Sequence, residues 1–277
     1  PEAAKHLKTL GQVSQVNPIA CDVTDPEAVR RAVAGADAVI NLVGIRAPRK
    51  LQTFKAVHVD AAATIASAAH EQGCKALVHV SAIGASRTSL SEYGRSKAAG
   101  ETAIRDAFPA ASIIRPSVIF GREDGFFNLF GGLARMLPAL PLFGGGKTSF
   151  QPVYVADVAD AVIAALYDPA ASGKDYELGG PKVYSFAELM ELLLHEIRRD
   201  RFLVPVPFFV GDIQATFAGL LPNPPFTRDD MKSLREDNVV AEGSLTLSDL
   251  GVSATAAEAI LPTYVHRYRK GGRLGRN

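Results

Sequence analysis

Short, almost wholly apolar runs alternate along the first part of the chain with longer stretches whose apolar positions recur at helical spacing. The runs are Val16–Val23, Ala38–Gly44, Ala76–Ser81 and Ser112–Pro116. Each reads as a strand buried on both faces. Between them the pattern predicts helices. The first is Pro1–Leu10, ending near Gly11. The second passes through Val29 and Val33, with Thr24 and Asp25 placed to cap it and Pro26 in its first turn. The third runs from Thr53 to Gln72, stopped by Gly73, and the fourth carries Tyr93 and Lys97 on to Phe108. Residues 45–52 form a basic loop. Such alternation predicts right-handed crossovers and a parallel sheet covered on both sides. Ligands of such sheets sit beyond the carboxyl ends of the strands. Asp22, Asn41, Gly44, Ser81 and Pro116 all fall at or just past such ends.

Farther on, Ala156–Tyr167 predicts an amphipathic helix and Lys174–Leu178 a short strand. Ser185-Phe186-Ala187-Glu188 reads as a capping box opening a helix to about Arg199. Gly144-Gly145-Gly146-Lys147-Thr148 lacks phosphate-loop spacing, since Leu140 or Pro141 stands where the upstream glycine belongs. It reads as a turn before a Phe150–Val155 strand. Leu203–Pro225 predicts one apolar helix from Phe208 to Leu221, with prolines at 205, 207, 222, 224 and 225 around it. That helix either packs on its own domain or leaves an exposed patch for a membrane or a subunit. The end is basic: His266, Arg267, Arg269, Lys270, Arg273 and Arg276, interleaved with Tyr264 and Tyr268. It reads as a solvated tail or as a contact for an anionic lipid surface. The predicted architecture is α/β. A Rossmann-type doubly wound parallel sheet occupies residues 1–155, and a smaller α+β C-terminal lobe with the basic tail occupies 156–277. Helix 156–167 is expected to pack back on the sheet.

Composition changes this picture little. Hydrophobic residues make up 47% of the 277 and charged residues 21%, enough for a sizeable core. A net charge of +1 and the absence of a nucleic-acid motif argue against a nucleic-acid partner. The two cysteines, Cys21 and Cys74, have no metal-ligand spacing and read as small core residues of a reducing compartment.

The candidate chemistry lies in Tyr93-Gly94-Arg95-Ser96-Lys97, with Ser81 upstream. Residues four apart on a helix share a face, roughly 5–6 Å apart at Cβ. An ammonium beside a phenol favours the phenolate, so Lys97 is expected to lower the Tyr93 pKa from about 10. Such a tyrosine exchanges a proton with a substrate oxygen, and a serine at a neighbouring strand end bonds the same oxygen. That is the chemistry of carbonyl–alcohol interconversion with hydride transfer. Tyr-x-x-x-Lys alone also fits a solvated helix pair.

In order, Asp22-Val23, Asn41-Leu42-Val43-Gly44, Ser81, Tyr93-x-x-x-Lys97, Arg115-Pro116-Ser117-Val118-Ile119-Phe120-Gly121 and Gln151–Ala159 resemble an extended short-chain dehydrogenase/reductase. Within that family, Ser91–Glu101, Pro109–Asn128 and Phe150–Asp160 are most similar to the short-chain-dehydrogenase-like accessory subunits of respiratory complex I, which hold NADPH. The resemblance implies that Asp22 and Val23 flank an adenine and that Asn41, Leu42, Val43 and Gly44 pass near the ribose and pyrophosphate. It implies that Ser81, Tyr93 and Lys97 surround the nicotinamide end, with Pro116, Ser117, Val118 and Ile119 packed on the ring. His58 stands where many enzymatic relatives have an asparagine that orders a relay water; it reads as that substitute or as a capping or surface histidine. The family's Gly-x-x-Gly-x-x-Gly fingerprint is absent, and Pro1 resembles the point just after the second strand. The opening βαβ is therefore expected to belong to a longer parent protein, without which dinucleotide binding is weak. The resemblance favours NADP(H), with NAD(H) possible.

Three functions fit. One is a cofactor-holding accessory subunit of respiratory complex I, the cofactor mainly structural. It would be peripheral on the cytoplasmic face of a bacterial inner membrane or the matrix side of the mitochondrial one. The others are a free NAD(P)-dependent oxidoreductase or epimerase using Ser81, Tyr93 and Lys97, and a non-catalytic nucleotide-sensing or assembly protein.

Overall fold

The computed structural model describes residues 2–12, 15–49, 51–218, 224 and 226–271. Helix α1 (Pro26–Val33) starts as its cap predicts, the Asp25 carboxylate accepting the Glu27 N–H at 3.0 Å. Strand β1 (Ala38–Asn41) follows, then α2 (Ala61–Glu71), β2 (Ala76–Val80), α3 (Glu92–Ala107) and β3 (Ser112–Pro116). After them come β4 (Ile119–Phe120), α4 (Phe127–Met136), β5 (Ala139–Phe143), β6 (Ser149–Phe150), β7 (Val153–Tyr154) and α5 (Val155–Tyr167). The rest comprises β8 (Asp175–Leu178), β9 (Tyr184–Ser185), α6 (Phe186–Ile197), β10 (Phe202–Val206), α7 (Phe208–Ala218), α8 (Arg228–Ser233) and α9 (Ala257–Val265).

The main sheet runs β1-β2-β3-β8, every pairing parallel. Leu77 and Ile113 join α1, α2 and α3 in one apolar layer, through Val29, Ile65 and Ile104. Val78 and Ile114 point the other way, into α5 through Val158, Ala161 and Val162. The sheet is therefore covered on both faces, as fully apolar strands require. Through α5 and β8, residues beyond 155 belong to this layer. The lobe is built on a separate core of phenylalanines, Phe126, Phe127, Phe130, Phe150 and Phe186, against α6 and α9. The Ser185–Glu188 capping box that opens α6 is formed as read.

Three expectations need correction, and for the apolar helix both of the readings left open are met on different faces. Val16–Val23 is not a strand; it is irregular, with Ile19 exposed. A parallel strand needs a neighbour's ladder, and β1 pairs only with β2 among the described residues. The helix predicted from Thr53 opens instead as a π-helical turn, Lys55–Asp60, before α2. The apolar helix α7 is two-sided. Phe208 and Ala215 pack with Phe143 and Met231, while Phe209, Ile213 and Phe217, on successive turns, are 65%, 53% and 69% exposed. The basic end is not a free tail as far as residue 271. Tyr264 is buried and donates to Asp124 Oδ2 at 2.5 Å, Arg267 donates to the Arg122 carbonyl at 2.9 Å, and Arg269 donates to the Glu196 carbonyl at 2.9 Å. Leu220, Leu221, the prolines at 222 and 225, Arg273 and Arg276 lie outside the described residues.

Candidate functional site

The site forms where β2, β3 and the start of α3 meet. Period-two alternation puts Leu77, His79 and Ser81 on the α3 side of β2. From α3, Tyr93 and Lys97 face the same space. Their contact is not the one expected. The Lys97 ammonium donates to the Val80 carbonyl at 2.8 Å, and burial lowers its pKa to about 8 against the opposing pull of Glu101. Burial pushes the Tyr93 phenol up, opposite to the lowering expected from Lys97. The Tyr93 hydroxyl has no hydrogen-bond partner among the described residues, while its ring packs edge-on against Phe54 and His58. Desolvation sets the direction of the Tyr93 shift here.

His58 is neither a cap nor a surface residue. It is 2% exposed, within the π-helical turn. Its Nε2 accepts the Ile45 N–H at 3.0 Å, which places the ring proton on Nδ1, 2.8 Å from Ser96 Oγ. Ser96 in turn donates to the Tyr93 carbonyl at 2.8 Å. One chain of bonds thus ties the loop after β1 to the first turn of α3. Burial and the Lys97 charge lower the His58 pKa to about 4, so the ring is neutral. The backbone approach is close: a Cβ on Gly100 would lie 2.1 Å from the His58 carbonyl oxygen.

The remaining predicted residues divide into two groups. Tyr93, Pro116, Ser117 and Val118 line one cavity of ≈ 220 Å³. Asn41, buried at the end of β1, stands in register with His79, and its Oδ1 accepts the Val43 N–H at 3.0 Å, fixing the Leu42–Gly44 loop. Ile119 has begun β4. Asp22 and Val23 stay apart from this cluster. The exposed Asp22 carboxylate accepts the Thr24 N–H and hydroxyl at 2.9 and 2.7 Å, closing its own turn.

Residues from the lobe complete the cavity. Asn238 accepts the Val118 N–H at 3.1 Å and the Ser117 hydroxyl at 2.7 Å, and donates to the Ile83 carbonyl at 3.2 Å. Glu236 accepts from Ser89 Oγ at 2.8 Å, and Asp229 accepts two amides of α3. Lone polar residues in a loop-rich stretch give no sequence signal of this kind.

Whether the strand end beside the cavity suits a nicotinamide group is tested by the buried polar atoms left unpartnered there. Ser81 Oγ and both ring nitrogens of His79 are buried and unpartnered among the described residues. A buried hydroxyl without a partner costs free energy, and a ligand carbonyl or carboxamide satisfies it. The Ser81 hydroxyl, the Tyr93 phenol and the spare donors of Lys97 fit the nicotinamide-ribose end of a dinucleotide. That cofactor would supply the hydride; these side chains would orient it and hold a proton at the phenol.

A doubly wound parallel sheet with a serine at one strand end and Tyr-x-x-x-Lys on the next helix defines the class. The chain belongs to the NAD dependent epimerase/dehydratase family, whose model matches residues 2–179. It is 36% identical over 282 residues to the mitochondrial NADH dehydrogenase (ubiquinone) 1 alpha subcomplex subunit 9 of Arabidopsis thaliana, covering 98% of this chain and 70% of that protein. It is 37% identical to the subunit of the same name from Mus musculus, over 95% of this chain and 70% of that protein. The fold matches a dTDP-glucose 4,6-dehydratase structure from Bacillus anthracis in complex with NAD, with a TM-score of 0.70 at 15% identity, over 96% of this chain and 83% of that one.

Proposed function

We propose that the protein is an accessory subunit of respiratory complex I that holds a nicotinamide dinucleotide, NADP(H) in preference to NAD(H), mainly as a structural group. The observation that carries this reading is the 36% identity, across nearly the whole chain, to a protein named as a subunit of that complex. The dinucleotide's nicotinamide end is assigned to Ser81, Tyr93, Lys97 and Pro116–Ile119, and its ribose and pyrophosphate to Asn41–Gly44. Asp22 and Val23 are assigned to the adenine. The apolar stripe of α7 supports peripheral attachment to a membrane-bound partner or to the membrane surface, on the matrix side in mitochondria. Among the described residues no helix is long and apolar enough to cross a membrane.

The intact Ser81, Tyr93 and Lys97 set favours a second reading, a free NAD(P)-dependent oxidoreductase. Purification from native membranes separates the two. Co-migration with the respiratory complex, with NADP(H) released on denaturation, is expected. A soluble monomer or dimer that turns over a carbonyl substrate supports the second reading instead.

A further inference from the structure

Beside the cavity that holds Tyr93 lies a larger one of ≈ 590 Å³. That size falls within the roughly 300–1,000 Å³ of small-molecule sites. The two share Val118, Ser233 and Asn238 as a common wall, so they lie end to end. The second is walled by Phe126, Phe130, Phe150, Phe186 and Phe226, with Leu129 beside them. Their rings already satisfy one another, with centroids 5.3 Å apart for Phe126–Phe130 and 5.6 Å for Phe130–Phe226. Arg46 is the cation on this wall among the described residues, and it is engaged. It pairs with Asp230 at 2.6 Å and donates to the Pro224 carbonyl at 3.1 Å.

This lining decides the kind of occupant. A nucleoside diphosphate carries charges that need several free cations or N–H donors, and burying them unpaired is costly. An apolar body, by contrast, gains in proportion to the area it removes from water. Arg46 and Asp230 neutralise each other, which leaves Asn238, with Ser233, on the shared wall as the polar side chains facing both cavities, and Tyr93 lines the smaller cavity beyond them. We propose that the phenylalanine-lined cavity binds an uncharged amphiphile, a long aliphatic chain ending in a carbonyl or hydroxyl, with its oxygen toward Asn238 and Tyr93. That Tyr93 then faces a reactive group rests on the nicotinamide reading above; occupancy of the cavity does not.

The test uses the full chain without dinucleotide, so its failure is distinct from a failure to find NADP(H) in the native protein. The neutral fluorophore N-phenylnaphthylamine is bound first and then displaced. Methyl nonyl ketone and decanol should displace it, and UDP-glucose should not. Leu129→Trp, which fills the cavity from its half-buried side, should weaken the ketone about tenfold. The chain has no tryptophan of its own. Phe126→Trp therefore gives a separate reporter that keeps an aromatic wall, and its emission should shift when the ketone enters. Displacement by UDP-glucose but not by the ketone overturns the proposal. So does a Phe126→Trp emission that the ketone leaves unmoved.

Discussion

Asp229 and Tyr93 are 136 residues apart, yet the Asp229 carboxylate accepts the Tyr93 N–H at 2.8 Å and the neighbouring Glu92 N–H at the same distance. The first amides of a helix have no partner within it, and its positive end attracts an anion. Ser91 accepts the next free amide, that of Gly94, at 3.0 Å. The start of the tyrosine helix is therefore held from two sides, once by its own cap and once by the lobe.

Asp229→Ala should lower stability by about 1–2 kcal/mol, the usual loss of a capping side chain. Asp229→Asn, which keeps one acceptor and drops the charge, should lose less. Urea unfolding of the three proteins checks the order. Equal midpoints would mean that water replaces the carboxylate without loss.

Stability should also fall with acid in a defined window. His58 and His79 have pKa values of about 4 and about 3 in the fold, against 6.5 in the unfolded chain. Below about 6.5 the unfolded chain binds protons that the folded one refuses, so stability declines as pH drops toward 4. The limiting slope is about 1.4 kcal/mol per pH unit for each ring. In His58→Asn that slope should fall by one ring's share. Denaturant unfolding at a series of pH values measures it, and an unchanged slope in the variant would remove His58 from the account.

Tyr93→Phe removes a hydroxyl with no partner among the described residues and keeps the packing on Phe54 and His58. Its melting temperature should barely move, and bound dinucleotide should remain. Lys97→Met should reduce bound dinucleotide, since the ammonium is assigned to its nicotinamide end. Chromatography of the nucleotide released from each purified variant checks both outcomes.

The two faces of α7 predict opposite phenotypes. Ser at Phe209, Ile213 and Phe217 together should release the protein from membranes while leaving its melting temperature near wild type. Phe208→Ser should instead destabilise, because Phe208 packs against Phe143 and Met231 and under the Arg235 guanidinium, 5.2 Å away. Sedimentation with membranes and thermal melting, run on both variants, separate attachment from folding. High salt should release the wild type only partly, since the apolar contribution is not screened.

Much of the fold was legible because its signals are local. Apolar runs gave β1, β2 and β3, and the Asp25 and Ser185 caps placed their helices. Val16–Val23 misled because its composition suits a strand but a strand also needs a partner, which composition does not reveal. Helical spacing and strand ends single out Ser81, Tyr93 and Lys97 as candidates. Asn238, Asp229 and Glu236 were not, since they act through contacts more than 100 residues away in sequence. The direction of the Tyr93 shift was misread for a related reason: spacing shows a charge nearby, but burial depends on every element packed around it.

Gly100→Ala should be among the most damaging small changes in the chain. The added methyl would meet the His58 carbonyl at 2.1 Å, and relief requires the π-helical turn to move. A loss of 2–3 kcal/mol or more is expected, at about the level of an overpacked core. Circular dichroism melting measures it, and a fully stable variant would show that the two helices can separate at little cost.

The same contact bears on inheritance. Glycine is the one amino acid without a Cβ, so every missense change of Gly100 brings the clash, whatever the chemistry of the new side chain. Arg, Ser, Val, Asp and Cys should all fail there, although they differ in charge and size. At His58, by contrast, the contact is made by the backbone carbonyl, so a new side chain there does not by itself bring this clash. In sequenced populations, the Gly100 codon should therefore show silent third-base variation and a near absence of missense alleles.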